Sequence, residues 1–262
     1  MSEYKLSSKQ IQLNWNTFRD IVNEISPVRR LEMNIMYDEL EERIVMAPAS
    51  TIDYFHNAIP GGYIDHILRV YENTLKCYDL WKSSGMIVDN FSLEELSFAA
   101  IHHDLGKIGM PGEGRELYQT NKSEWHRKNQ GKVYQMNPNL VHMESTDRTF
   151  YLLNHYRIPY SENEQLGIQL TDGMYNETNK PYLVAYELEK KLRNTMGMIL
   201  HHADIMAARY EFEQWSLTTG KFELYNSTKK PQKQLETKTP ITQTPNKQHL
   251  DLFAKVFENM GE

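Results

Sequence analysis

Apolar positions along this chain recur at helical spacing, and the first clear stripe runs through Ile11, Trp15, Phe18, Val22 and Ile25. After Pro27 a second stripe through Leu31, Ile35, Leu40 and Ile44 predicts further helix. A third follows Gly61-Gly62 and passes through Ile67, Val70, Tyr71, Thr74 and Leu75. Ser92-Leu93-Glu94-Glu95 has the form of a capping box, and Leu96, Ala99, Ala100 and His103 then share one face. Ile199 to Ala208 carries small and apolar residues of the kind found in a core helix.

Two stretches break the pattern. Residues 110–140, rich in Gly and Pro, form a long irregular connection, and such connections inside a compact domain are often functional. This one holds Trp125, His126, Arg127, Lys128, Lys132 and Tyr134, a mixture suited to stacking a base and neutralising phosphate oxygens. It reads either as a substrate lid or as a surface excursion with Trp125 plugging a small satellite core. Residues 226–248, rich in Lys, Thr, Gln and Pro, read as a flexible linker. Residues 249–262 recover a short amphipathic helix through Leu250, Phe253, Val256, Phe257 and Met260, either docked back on the chain or binding a protein partner. Tyr151, Tyr156, Tyr160, Tyr175 and Tyr182 are expected to supply packing area.

Composition narrows the class. With 262 residues and 40% apolar content the chain can bury one good core, and Cys77 alone excludes an intramolecular disulfide framework. No run of about 18 apolar residues and no cleavable leader pattern is present, so a cytoplasmic protein without membrane insertion is expected. A net charge of −6 weighs against broad nucleic-acid coating while permitting a local basic groove. Neither a phosphate-cradling glycine loop with its lysine nor a serine nucleophile elbow occurs.

The chemistry concentrates in Ile101-His102-His103-Asp104-Leu105-Gly106-Lys107. The helical phase turns His103 inward, Gly106 suits a helix C-terminus, and Lys107 can reach the same space four residues on. A buried imidazole, carboxylate and ammonium need a common partner, which a divalent metal plus a phosphate would supply. His66 and Asp204, each on an apolar helix, are further ligand candidates that only tertiary folding can deliver. Neighbouring helical positions point about 100° apart, so His102, His201 and His202 are read as packing or supporting residues. His201, three residues before Asp204, is the best placed of them to approach it. His126, His155 and His249 read as surface histidines.

The ordered set His66, His103-Asp104 with Gly106-Lys107, then Asp204 resembles the HD-domain superfamily of metal-dependent phosphohydrolases, over roughly residues 45 to 212. The resemblance implies an all-α helical bundle over residues 45–225, with accessory helices over 1–44 and the flexible tail beyond. It implies a metal held by His66, His103, Asp104 and Asp204, with Asp104 and Lys107 serving catalysis. The stretch Ala47-Pro48-Ala49-Ser50, then His56 to Gly62, is similar to the opening of bacterial HD-type 3′–5′ exoribonucleases, with Phe55 where those show a further histidine. His56 is thereby a substrate-binding candidate, alongside Trp125, Arg127, Lys128, Lys132 and Tyr134. His142 fits a second-metal position, whereas Thr171 stands where two-metal relatives carry histidine, leaving Asp172 beside it as the other second-metal or phosphate candidate.

Mixed nitrogen and oxygen ligation suits manganese first, with iron, cobalt, nickel, zinc or magnesium as alternatives. The expected reaction is hydrolysis of a phosphate ester or anhydride in a nucleotide or another phosphorylated small molecule. The alternatives are a 3′–5′ exonuclease or phosphodiesterase on single-stranded nucleic acid, a di-iron oxygenase that Thr171 disfavours, and a catalytically silent HD binding module.

Overall fold

The computed structural model describes residues 3–222. The expected linker over 226–248 and terminal helix over 249–262, with His249, lie outside the described residues. Ten α-helices and one two-stranded ribbon occur among those described. In chain order they are α1 (Ser8–Ile25), α2 (Arg30–Glu39), α3 (Glu41–Met46), α4 (Gly62–Ser83), α5 (Leu93–His102), β1 (Tyr118–Thr120), α6 (Glu124–Gln130), β2 (Tyr134–Met136), α7 (Ser145–His155), α8 (Glu162–Leu170), α9 (Lys180–Leu183) and α10 (Met196–Thr219). A 3-10 turn, Leu105–Ile108, follows α5 directly. No helix among the described residues is long and apolar enough to cross a membrane.

Local chemistry starts the helices where packing needs them. Ser7 caps α1 by accepting from the Gln10 N–H, and Trp15, Phe18, Val22 and Ile25 form its buried face. Ser92 and Glu95 complete the capping box of α5, and Ser161 with Glu164 makes a second one on α8. Helices α4 and α10 form the most extensive pair, with α5 and α8 packed alongside, α1 and α3 covering α4, and α2 packed on α1 and α3. Phe18, Met33, Tyr37, Tyr63, Leu96, Phe98 and Ile101 share one continuous core.

Three expectations from the pattern are corrected. In α2 the buried face is Met33, Met36, Tyr37 and Leu40, while Leu31 and Ile35 are exposed. Leu40 ends α2, and nine residues back along a helix is about 180° away, so Leu31 cannot share its face. Residues 110–140 are not irregular throughout. Strands β1 and β2 pair antiparallel, with Tyr118 opposite Met136 and Thr120 opposite Tyr134, and α6 lies between them. The chain around this ribbon is tied to residues 51–53, where Asp53 N–H donates to the Gly131 carbonyl at 2.8 Å and Tyr134 N–H to the Thr51 carbonyl at 3.1 Å. Of the tyrosines expected to pack, Tyr156 is buried and Tyr160 partly so, but Tyr151, Tyr175 and Tyr182 face solvent. The segment carrying the latter two is broken into short turns too small to cover them.

Gly106 has a different reason from the helix-ending one. Helix α5 stops at His102, and a Cβ on Gly106 would sit 1.9 Å from the Ser145 carbonyl oxygen. Its N–H donates to Thr149 Oγ1 at 2.8 Å, so the turn carrying Lys107 lies flat against α7. Glycine is required by close approach rather than by backbone sign.

Candidate metal centre

Three helices bring side chains to one buried point. His66 comes from the second turn of α4, His103 and Asp104 from just after the end of α5, and Asp204 from the middle of α10. Nε2 of His66 lies 3.2 Å from Asp204 Oδ1 and 3.6 Å from Asp104 Oδ2. Nε2 of His103 lies 3.5 Å from Asp104 Oδ2 and 4.0 Å from Asp204 Oδ1. His56, on the loop before α4, adds a third imidazole stacked on His66 with ring centroids 4.9 Å apart. Ligand atoms of His56, His66 and Asp104, and of His66, His103 and Asp204, form two groups within 4.8 Å of one another.

The far nitrogens fix which atom faces the centre. His103 Nδ1 lies 2.8 Å from the Ala100 carbonyl, which can only accept, so Nδ1 carries the hydrogen and Nε2 keeps its lone pair. His66 Nδ1 lies 3.1 and 3.2 Å from the two Glu211 carboxylate oxygens, with the same consequence. Both Nε2 atoms are buried without a hydrogen-bond partner. Lone pairs of two imidazoles pointed at two carboxylates repel unless positive charge lies among them. The donor set could therefore hold a metal ion.

The electrostatics show the same demand for positive charge, which a proton on His66 supplies where a cation does not. Burial opposes a charged His66, yet Glu211 and Asp204 outweigh it and push its pKa up to about 10. His103 is also raised, burial being outweighed by Asp104 and Asp204. Burial opposes ionised Asp104, but Lys107, His103 and His66 hold it well below the usual carboxylate range. Asp204 falls to about 2 because His66 and His103 overcome its burial. Lys107 Nζ sits 2.6 Å from Asp104 Oδ2 and 3.1 Å from His56 Nε2. Burial and the Lys107 and His66 charges drive the His56 pKa down to about 3, so its imidazole is neutral and accepts from the ammonium.

Glu211 is the residue that sequence reasoning missed. It is fully buried, holds His66, and lies 3.3 Å from Arg69, which in turn lies 3.0 Å from Asp65. Asn57 Nδ2 donates to Asp65 at 2.8 Å, and Tyr4 OH donates to Asn57 at 2.8 Å, extending the network to the N-terminal segment. The available signal was spacing, because Glu211 is seven residues after Asp204 and therefore on the same face of α10. His201 takes no such part. Its Nδ1 lies 2.6 Å from the Thr171 carbonyl, and its ring packs on Gly173, since a three-residue step leaves it about 60° off the face of Asp204.

The remaining candidates divide. His142 is 87% exposed beside Glu144, because residues 141–144 precede α7 on the surface, and it stands outside both ligand groups. Asp172 is at the rim, where partial burial and the charges of Asp104 and Asp204 raise its pKa. Trp125 is exposed, Lys128 pairs with Glu124 at 2.5 Å, and Arg127 binds the Asn121 carbonyl. Lys132 forms a bridge with Ile52. Of the loop residues proposed for substrate, Tyr134 lines a cavity of about 870 Å³ that has Lys107, Tyr118, Lys122 and Arg43 in its wall. His102 is core: Nδ1 donates to the Phe98 carbonyl at 2.8 Å and the ring packs on Phe98 at 4.1 Å.

Comparison with protein-family models, curated proteins and solved structures returned no match to this chain.

Proposed function

We propose that this protein is an HD-type metal-dependent phosphohydrolase acting on a phosphate ester or anhydride, with a nucleotide as the leading substrate class. The observation that carries this reading is the pair of partnerless, buried Nε2 atoms of His66 and His103 facing Asp104 and Asp204, with Lys107 beside them. His66, His103, Asp104 and Asp204 would hold the ion, while the one lone pair of neutral His56 is taken by the Lys107 ammonium. A divalent cation there supplies Lewis acidity and lowers the pKa of a coordinated water toward neutrality.

The chain's own groups do the rest. Glu211 keeps hydrogen on Nδ1 of His66, and the Ala100 carbonyl does the same for His103, so both imidazoles present lone pairs inward. Asp104 stays ionised and can orient an attacking water by accepting a hydrogen bond from it. Lys107, charged and positioned by Asp104, neutralises charge that grows on phosphoryl oxygens. The 870 Å³ cavity beyond Lys107 is roomy enough for a nucleoside, with Tyr118 and Tyr134 as stacking surfaces.

The test is release of phosphate and nucleoside from a nucleotide panel, with short RNA and DNA included, after chelation and re-addition of single divalent metals. Metal-restored turnover that Asp104→Ala abolishes, with helical circular dichroism retained, is the expected result. Undiminished turnover in Asp104→Ala rejects the site, and selective shortening of the polymers replaces the nucleotide by a nucleic-acid 3′ end.

A further inference from the structure

A second group of cations lies against the turn that carries Lys107. Arg148, in the first turn of α7, is only 2% exposed. Its Nε is buried with no hydrogen-bond partner, and Nη2 has only the Val141 and Met143 carbonyls, at 3.5 and 3.3 Å. These contacts leave most of the guanidinium fork unused, and among the described residues no carboxylate offsets the cost of burying its charge.

Its position is set by the close packing around Gly106. A Cβ on Gly106 would lie 3.0 Å from Arg148 Cβ, so Arg148 leaves α7 beside the peptides joining Asp104 to Lys107. Tyr118 of β1 shares a cavity wall with Lys107, and Arg115 packs beside the turn that follows Lys107, its carbonyl accepting from Met110 N–H at 2.9 Å, which leaves the Arg115 and Arg148 charges close enough to repel. Arg115 is exposed. Of these three cations, Lys107 alone has a carboxylate within ion-pair distance among the described residues.

We propose that Arg148, with Arg115 and the Tyr118 hydroxyl, forms an oxyanion site beside the metal centre. It takes a second anionic group of the substrate, so the substrate class is a phosphorylated molecule with at least two oxyanion groups. This substrate assignment rests on the phosphohydrolase reading, whereas the anion site itself does not. A guanidinium binds a phosphate through two parallel hydrogen bonds, which a lysine at the same place cannot supply.

The experiment uses the full chain in chelator, so that neither metal nor turnover enters. Thermal midpoints and isothermal titrations are recorded with inorganic pyrophosphate for the parent and for Asp104→Asn, Arg148→Met and Arg148→Lys. Pyrophosphate is expected to raise the midpoint of the parent and of Asp104→Asn, and to leave Arg148→Met unmoved. Arg148→Lys, which retains charge, is expected to bind about tenfold more weakly because the fork is lost. Equal binding by the parent and Arg148→Lys, or no binding by the parent, overturns the site. If Arg148→Met does not fold, the Arg148→Lys titration decides. Binding that persists in a protein without hydrolytic activity would sink the enzyme reading while leaving the anion site standing.

Discussion

Replacing Glu211 by Gln isolates the residue that holds His66 from behind without itself belonging to either candidate ligand group. Glu211 Oε1 and Oε2 lie 3.1 and 3.2 Å from one nitrogen, His66 Nδ1, so they share a single charge-assisted hydrogen bond rather than making two. Such a bond is worth about 1.5–3 kcal/mol. Gln keeps the volume and one acceptor but removes the charge. Its NH2 group must then face either the Nδ1 hydrogen of His66 or Arg69, whose Nη1 lies 3.3 Å from Oε1 in the parent. The basicity of His66 falls and its ring is less firmly held, so metal affinity should drop about 10- to 100-fold, or about 1.4 to 2.7 kcal/mol. The assay is competitive titration of Mn²⁺ or Zn²⁺ against a chromogenic chelator, with circular dichroism to show that the helices remain. Glu211→Asp, which keeps the charge and withdraws it by about 1.5 Å, should fall between parent and Gln. An affinity in Glu211→Gln within about twofold of the parent would show that His66 is not a ligand supported through Nδ1, and the reasoning would fail.

Lys107→Met should lower kcat about 10²- to 10³-fold while metal affinity changes little, as expected of a cation that meets developing charge; equal losses of metal binding and turnover would refute that role. Gly106→Ala forces a methyl group to within 1.9 Å of the Ser145 carbonyl oxygen, so α7 must move, at about 1–3 kcal/mol or more in urea denaturation. A parent-like midpoint would mean that this contact yields freely. For Glu95, hydrogen bonds from Ser161, Ser92 N–H and Asn163 outweigh burial and lower the pKa below its ordinary 4.5. A depressed carboxylate stabilises the fold above that ordinary value and loses its contribution as pH falls through the folded pKa. Glu95→Gln should therefore lose less stability than the parent between neutral pH and pH values below 4.5, and parallel urea midpoints over that range would contradict it.

What the sequence made legible, and what it hid, divides along a physical line. His66 and Asp204 stand on long helices and His103-Asp104 directly follow a third, where periodicity states which way a side chain points, and the structure brings their donor atoms together. The misread face of α2 came from carrying Leu31 in phase with Leu40 and Ile44 across the α2–α3 junction at Leu40, where phase is lost. His56 could be marked as a substrate candidate but not as the acceptor that positions Lys107, because its place is set by stacking on His66 and by Lys107, contacts that no local pattern encodes. Likewise the β1–β2 ribbon consists of two three-residue strands, too short for alternation to announce them.

Glu211 and Arg148 mark the deeper limit of local reading. Each is a charged residue at a helical position that sequence assigns by default to solvent, and each is buried. Glu211 is buried because His66 and Arg69 share its charge. Arg148 has no such carboxylate partner among the described residues, and its fully buried Nε has no bond at all. Folding alone gives no reason to retain that guanidinium, since an apolar residue of similar volume would cost less to bury. The difference between these two residues separates a charge that the fold itself satisfies from one that waits for a ligand, and it is why pyrophosphate binding is sought at Arg148 and metal affinity at Glu211.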